Sequence, residues 1–544
     1  MNDTQFEVRH CLTAALISWT LAAPLAAADR TSSPYEPSTP NDHTFVRNGG
    51  PNLDVSCATY EEGALTIQIP VSRFVGATNP DGTLAEPDKA IRGGTLARVA
   101  KLTIAFRQER FNTIPPFFPQ RDLVSFNGTR VDQLERKNSP YLTGERDVWR
   151  VNTFVIPIGR VRFPSAKGVN GAPPIPADNS VTIDIDILNA EYEADDWCTK
   201  LDWVELEMHA ASPIILIHGI NSEPGFFDRH GFSTFLGGQG FVVDNTIELG
   251  PALVNTNAQI LDTEFPKRVT QLGVDSVHVI AHSKGGLDAR AYLTDYQPNH
   301  ESDFHILSLT TLGTPHNGSV LADFISGIND QIEARRSLEF PHFPALTYLL
   351  AGMLDFAVGY RDLQPGACAT FNSRNLRALP RSTTYFVAAG DADLDGNSKI
   401  DNTPDEYAAL RVDSRELAEA YAKPLVGHLE ARMAVDALYQ ILRKTPGVTV
   451  RIERRALQGG ASYRVAVFES TGDDVDLAND TLVTILSAVG SGGFLSKAKP
   501  PIRFMGTMGR NHSSIADSGV SAVAGTWVIE VDTAGGDLSA EEPR

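Results

Sequence analysis

The chain has 544 residues, too many for one typical domain, so two or three are expected. Its 42% hydrophobic and 21% charged residues make an ordinary globular mix, able to bury sizeable cores. A formal charge of −20 argues against a nucleic-acid partner and against electrostatic docking on anionic membranes.

Arg9 precedes an apolar segment from Cys11 to Ala28, and Ala26-Ala27-Ala28 closes it in the small-residue pattern of a cleaved export signal. A membrane anchor is the rival reading, but Pro24 breaks the run and no basic cluster follows it. Residues 1–28 are therefore expected to be removed, leaving a secreted or periplasmic chain in which disulfides can form. Of the remaining cysteines, Cys57 and Cys198 share the N-terminal region and are the expected pair, with Cys368 a buried free thiol.

Residues 29–209 are expected to form an antiparallel β-sandwich, following a loose leader from Asp29 to about Asn52. Its signal is period-two alternation: Leu65, Ile67 and Ile69; Leu102, Ile104 and Phe106; Val181, Ile183, Ile185 and Ile187; then Trp203 to Met208. At Pro213 the pattern changes. Ile214 to Ile217 is a continuous apolar run, as in a parallel strand covered on both faces. A helix over Phe226–Leu236, a strand over Phe241–Leu249, a helix over Asn257–Leu272 and a strand over His305–Leu312 continue the alternation. Residues 210–535 thus read as a doubly wound, mostly parallel sheet, and 536–544 as a flexible tail. An apolar helical run at about residues 319–365 interrupts the alternation and reads either as core or as a lid.

Within that sheet, a short apolar run from Val277 reads as a buried strand that turns abruptly at Ala281-His282-Ser283-Lys284-Gly285, with a helix over Leu287–Leu293. Ala281 and Gly285 flank Ser283 at the spacing of a nucleophile elbow, with alanine in the first glycine position. Such a serine needs a base, an orienter for the base and donors for an oxyanion. The turn His218-Gly219-Ile220 can supply the N–H of Ile220, and the N–H of Lys284 follows the serine directly. His218 belongs to that turn and reads as structural rather than as the base.

Ile214 to Gly219, Ala281 to Arg290 and Leu312-Gly-Thr-Pro-His-Asn-Gly-Ser319 together resemble the bacterial secreted triacylglycerol lipases of the α/β-hydrolase superfamily. Asp362 to Asn372 resembles the segment that closes the lid region in those enzymes, and the sandwich lies outside the resemblance. The resemblance implies a triad of Ser283, Asp480 and His512. Asn479-Asp480-Thr-Leu-Val483 is similar to the family's acid segment, with Thr481 in place of glycine, and Arg510 to Ile515 is similar to its base segment. A second pair in correct chain order is Asp391 with His428, although His428 follows a helical rather than a strand-like stretch. Asp391, Asp393 and Asp395 before Gly396 also read as a calcium loop or as a solvated acidic turn. The family often holds calcium through an Asp two residues after the base; here Ser514 stands there, and that site does not carry over. No cofactor is expected for the chemistry itself.

The resemblance implies a serine carboxylic-ester hydrolase acting through an acyl-enzyme, with acylglycerols or other lipid esters as substrates. A short-chain esterase and a polyester depolymerase share that chemistry, and the N-terminal domain would then bind a surface or polymer. A surface-binding protein with an inactive hydrolase fold is the alternative from another class.

Overall fold

The computed structural model describes residues 44–48, 55–58, 63–110, 122–134, 148–185, 197–220, 222–319, 322, 358–390, 448–456, 462–470, 483, 485–489, 502–510, 512 and 514–535. The export segment, most of the lid-like run, Asp391 to Asp395, His428 and Asp480 lie outside them.

The N-terminal strands are β1 (Thr44–Asn48), β2 (Val55–Ala58), β3 (Leu65–Val71), β4 (Val99–Arg110), β5 (Leu123–Phe126), β6 (Thr129–Gln133), β7 (Arg150–Pro157), β8 (Ala177–Asp184) and β9 (Trp197–His209), with one short helix, α1 (Pro87–Arg92). They form two antiparallel sheets, one in the order β1-β9-β4-β7 with β2 also on β9, the other in the order β3-β8-β5-β6. Alternation explains their packing. Ile67 and Ile69 of β3 and Val181 and Ile183 of β8 meet Leu102, Ile104 and Phe106 of β4 and Leu206 of β9 in one buried cluster. Cys198 is disulfide-bonded, and β2, which carries Cys57, pairs with β9, which carries Cys198, as the expected bridge requires. Cys368 is free and buried, and burial pushes its thiol up to about 12, leaving it inert.

After Pro213 the elements are β10 (Ile214–Ile217), α2 (Phe226–Arg229), α3 (Phe232–Gly238), β11 (Val243–Asp244), α4 (Val254–Leu272), β12 (Ser276–His282), α5 (Lys284–Asp295) and β13 (His305–Leu312). There follow α6 (Pro365–Asn375), β14 (Thr384–Gly390), the antiparallel pair β15 (Val448–Ala456) and β16 (Ser462–Ser470), α7 (Ile485–Val489), β17 (Ile502–Met508) and α8 (Ser518–Gly535). Six strands make one parallel sheet in the order β11-β10-β12-β13-β14-β17. Successive residues of each strand face opposite layers. Ile215, Ile217, Val277, Val279 and Val387 pack with Leu261, Phe265 and Tyr292 on one side. Ile214, Leu216, Ile280, Phe386 and Ala388 pack with Phe227, Phe232, Leu236 and Trp527 on the other. This is the doubly wound α/β architecture expected from the alternation.

Three expectations need correcting. The single helix over Phe226–Leu236 is two, α2 and α3, because the chain turns at His230 and Gly231 and Asp228 accepts the hydroxyl of Ser233 across the break. The strand over Phe241–Leu249 shrinks to Val243–Asp244, because the Asp244 carboxylate accepts both the N–H and the hydroxyl of Thr246 and turns the chain. The helix expected from Leu287 begins at Lys284, directly after the serine.

The two parts meet at the amino ends of the parallel strands. Arg73 donates to the carbonyls of Ala210 and Ala211 just before β10, and Phe74 N–H and Gly168 N–H bond Leu272 O and Gln271 O just before β12. Lys167 pairs with Asp244 at 2.9 Å. The N-terminal sheets therefore dock at the edge of the parallel sheet away from the strands' carboxyl ends.

Candidate active site

Strand order places the site before any side chain does. From β10 the chain passes to β11 on one side and to β12 on the other, so the carboxyl ends of β10 and β12 flank a topological switch point, where open α/β sheets bind ligands. His218-Gly219-Ile220 leaves β10 there, and His282-Ser283 leaves β12 beside it.

Ser283 adopts φ 54° and ψ −132° between β12 and α5, a conformation that side chains other than glycine's rarely take. Its N–H bonds Leu312 O at 3.0 Å, and its own carbonyl accepts Gly286 N–H at 3.1 Å, so the elbow is held from both sides. Lys284 is the first residue of α5, where helix geometry leaves the N–H without an intrahelical acceptor and the macrodipole is positive. At Gly285 a Cβ would come within 2.4 Å of His218 O, which explains the second glycine of the motif. The methyl of Ala281, where the usual motif has glycine, is fully buried in the apolar layer below.

His512 follows β17 in a turn and is buried. Its Nε2 lies 2.8 Å from Ser283 Oγ, within hydrogen-bond reach, the geometry in which a bare Nε2 can accept the serine hydroxyl. Gly219 runs alongside: a Cβ there would stand 2.6 Å from Ser283 Cβ and 3.2 Å from Ser283 Oγ. His218 fixes this turn. Leu249 N–H donates to His218 Nε2 at 3.2 Å, so Nδ1 carries the proton and donates to Gly219 O at 2.9 Å. In a trans peptide the next N–H points opposite to that carbonyl, which turns Ile220 N–H away from His218. Burial holds the His218 imidazole below the usual histidine range, and this neutral form is the one both bonds require.

No family model matches the chain. Over 110 residues, 20% of its length, it is 34% identical to Triacylglycerol lipase 2 of Saccharomyces cerevisiae, of which the match covers 33%. It is 29% identical over 141 residues, 23% of its length, to a triacylglycerol lipase of Burkholderia plantarii, of which the match covers 36%. The chain thus spans only about a third of the length of these curated relatives. Among solved structures, the mature form of the Bacillus licheniformis lipase BlEst2 aligns with 59% of this chain and 92% of its own, at 18% identity and a TM-score of 0.35. A score that low adds nothing to the strand order described above.

Behind the elbow lies a polar network, some of whose residues stand in the quoted motifs and some outside them. Lys284 Nζ reaches Asp288 Oδ1 at 2.6 Å, and Asn257 donates to Asp288 Oδ2 at 2.9 Å and to Gly250 O at 3.1 Å. Asp362 caps Val254 N–H at 2.6 Å and so ties the chain before α6 to the start of α4. Burial pushes the Asp288 carboxyl up to about 6, although Lys284 and the hydrogen bonds pull it down. On the far side of α5 the buried Arg290 donates to Asn372 and Asn375 of α6 at 2.9 and 2.8 Å and lies 3.1 Å from His316 Nδ1. Asn372 in turn bonds His316 O at 2.8 Å, which ties the Gly-Thr-Pro-His turn to α6. The sequence signal was Lys284, Asp288 and Arg290 set among small and apolar residues of the helix.

Of the sequence-derived site residues, Ser283, Lys284, Ile220 and His512 converge on the switch point. Asp480 lies outside the described residues; Val483 and Ala488 pack on Ala389 near the carboxyl end of β14. Asp391, Asp393, Asp395 and His428 also lie outside, and among the described residues no acidic or histidine cluster suited to a metal is present.

With Ile220 N–H read as an oxyanion donor, Gly219→Ala is expected to cut turnover about a hundredfold, because the new methyl must push the turn after β10 off Ser283, and losing one such donor costs about that much. Steady-state kinetics checks this, with the loss in kcat rather than KM.

Proposed function

We propose that this chain is a serine carboxylic-ester hydrolase of lipase-like type that works through an acyl-enzyme. The observation that carries the reading is the 2.8 Å approach of His512 Nε2 to Ser283 Oγ on a positive-φ elbow beside Gly219. The sequence likeness to proteins named triacylglycerol lipase supports the same class.

In this reading His512 takes the hydroxyl proton as Ser283 Oγ attacks the ester carbonyl. The main-chain N–H groups of Ile220 and Lys284 receive the oxyanion. The tetrahedral intermediate collapses, His512 gives the proton to the departing alcohol, and an acyl-serine remains. Water, deprotonated by His512, then releases the acid and restores Ser283. Asp480 is proposed to hold the imidazole and offset its charge, on the strength of its motif and of the packing of Val483 against β14.

Acylglycerols are the proposed substrates, met outside the cytoplasm in the reading of residues 1–28 as an export signal. The N-terminal sheets, read as a β-sandwich, dock at the opposite edge of the parallel sheet from Ser283, so they could hold a surface or polymer without covering the serine.

The test is release of p-nitrophenol from short- and long-chain esters by the wild type, Asp480→Asn, His512→Ala and His428→Ala. Collapse in the first two variants, with His428→Ala active, is the expected result. Loss in His428→Ala alone moves the base to the Asp391/His428 pair. Preference for the short ester points to an esterase. A folded wild type inactive on both esters favours the surface-binding alternative.

A further inference from the structure

Ser283 is preceded by His282, a fully enclosed histidine to which the reaction above assigns nothing. Its ring stacks on Phe226, centroids 4.7 Å apart with 22° between the planes, and the ring of His512 lies 4.8 Å away. His282 Nε2 lies 2.7 Å from the main-chain oxygen of His512. A carbonyl can only accept, so Nε2 carries the proton and donates.

The other ring nitrogen, Nδ1, is buried with no hydrogen-bond partner and faces the main chain of Gly219, where a Cβ would stand 3.2 Å away. A proton on Nδ1 would be a buried donor without an acceptor, whereas a bare lone pair costs less. Nε2–H is therefore the tautomer the surroundings accept. Burial, and after it the neighbouring His512, His230 and His218, disfavours a positive charge on this ring.

We infer that His282 is a positioning residue for the general base: its Nε2–H, fixed by the stack on Phe226, clamps the main chain of His512 so that the imidazole stays on Ser283 Oγ. The inference rests on the reading of Ser283 and His512 as nucleophile and base. Adjacent residues on one strand end thus do two jobs. Ser283 presents the nucleophile, and His282 reaches across to hold the loop that delivers its base. His512 follows an edge strand, β17, in a turn, so a hold on its main chain bears directly on where its ring sits. A displacement of about 1 Å at such a group can cost a hundredfold.

The experiment compares His282→Phe, which keeps a ring on Phe226 but has no donor, with His282→Gln, whose amide can reach the same carbonyl. The readouts are kcat and KM on a p-nitrophenyl ester, the rate of fluorophosphonate labelling of Ser283, the melting temperature and nitrogen NMR of labelled histidines. The expected result is a kcat and labelling rate down about ten- to a hundredfold in His282→Phe. KM and melting temperature stay close to wild type, and most of the rate returns in His282→Gln. Wild-type labelling by a folded His282→Phe overturns the inference. So does a folded His282→Gln as slow as the phenylalanine variant, which also decides the matter if the latter does not fold. A wild type that never labels defeats the reading of Ser283 as nucleophile; the NMR then judges the clamp alone, a proton on Nε2 upholding it and a proton on Nδ1 overturning it.

Discussion

Ser283→Ala is expected to lower ester turnover by roughly 10⁴- to 10⁶-fold while the protein stays folded, and Ser283→Gly to do the same while melting higher than the alanine variant. The first part follows from the hydroxyl 2.8 Å from His512 Nε2 on the switch-point edge of the sheet. The second follows from the backbone. At φ 54° and ψ −132° a residue with a Cβ carries strain of about 1–3 kcal/mol, whereas glycine accepts the conformation freely. Glycine forfeits about 0.4–1 kcal/mol of that through its freer unfolded chain. The net expectation is that Ser283→Gly is more stable than Ser283→Ala by about 1 kcal/mol. Both variants lose the serine hydroxyl, so its hydrogen bond cancels in the comparison. Denaturant titration of the two variants measures the difference, and equal midpoints would show that the elbow stores no strain. Turnover retained in Ser283→Ala would place the nucleophile elsewhere.

The strained serine was legible in the sequence because three signals agreed: a buried apolar strand, small residues on both sides of Ser283, and a helix after it. The parallel sheet was legible for a related reason. Ile214 to Ile217 and Val277 to Ala281 are apolar almost without interruption, as strands covered on both faces tend to be. The reading failed where side chains competed with the backbone. Asp244 sits in a strand-like run but binds Thr246 and so ends β11. Lys284-Gly285-Gly286 lacks the apolar period of a helix, yet its close packing under β10 makes it the first turn of α5. His218 reads from the sequence as a structural member of the turn after β10, but its bond to Leu249 N–H depends on a loop 31 residues away that no local pattern announces. His282 carried no signal at all, because its partner is a carbonyl 230 residues further along the chain.

Lys284→Met is expected to destabilise the protein by about 3 kcal/mol at pH 8 and by far less below pH 6. Asp288 is buried and is held by Lys284 and Asn257, with Asp362 raising its pKa further, and its carboxyl sits at about 6 against an ordinary value of 3.8. Since the folded value is the higher one, the native state binds more protons between those limits. Stability from this group is therefore greatest in acid, falls as pH rises from about 4 to about 6, and is level above that. Removing the Lys284 ammonium takes away the nearest opposite charge, so the folded value climbs and the fall continues past pH 6. Each further pH unit costs roughly 1.4 kcal/mol until the new value is reached. The main-chain N–H of position 284, the proposed oxyanion donor, is unchanged, so the loss belongs to folding rather than to the reaction. Adding Asp288→Asn to Lys284→Met removes the titrating group, and the double variant should show the same stability at pH 8 as at pH 6 as far as this site is concerned. Melting temperatures of the three proteins from pH 5 to pH 8 check this. A Lys284→Met curve parallel to the wild type above pH 6 would mean that the ammonium does not hold the Asp288 carboxylate, and that the ion pair under the nucleophile serves only to fill space.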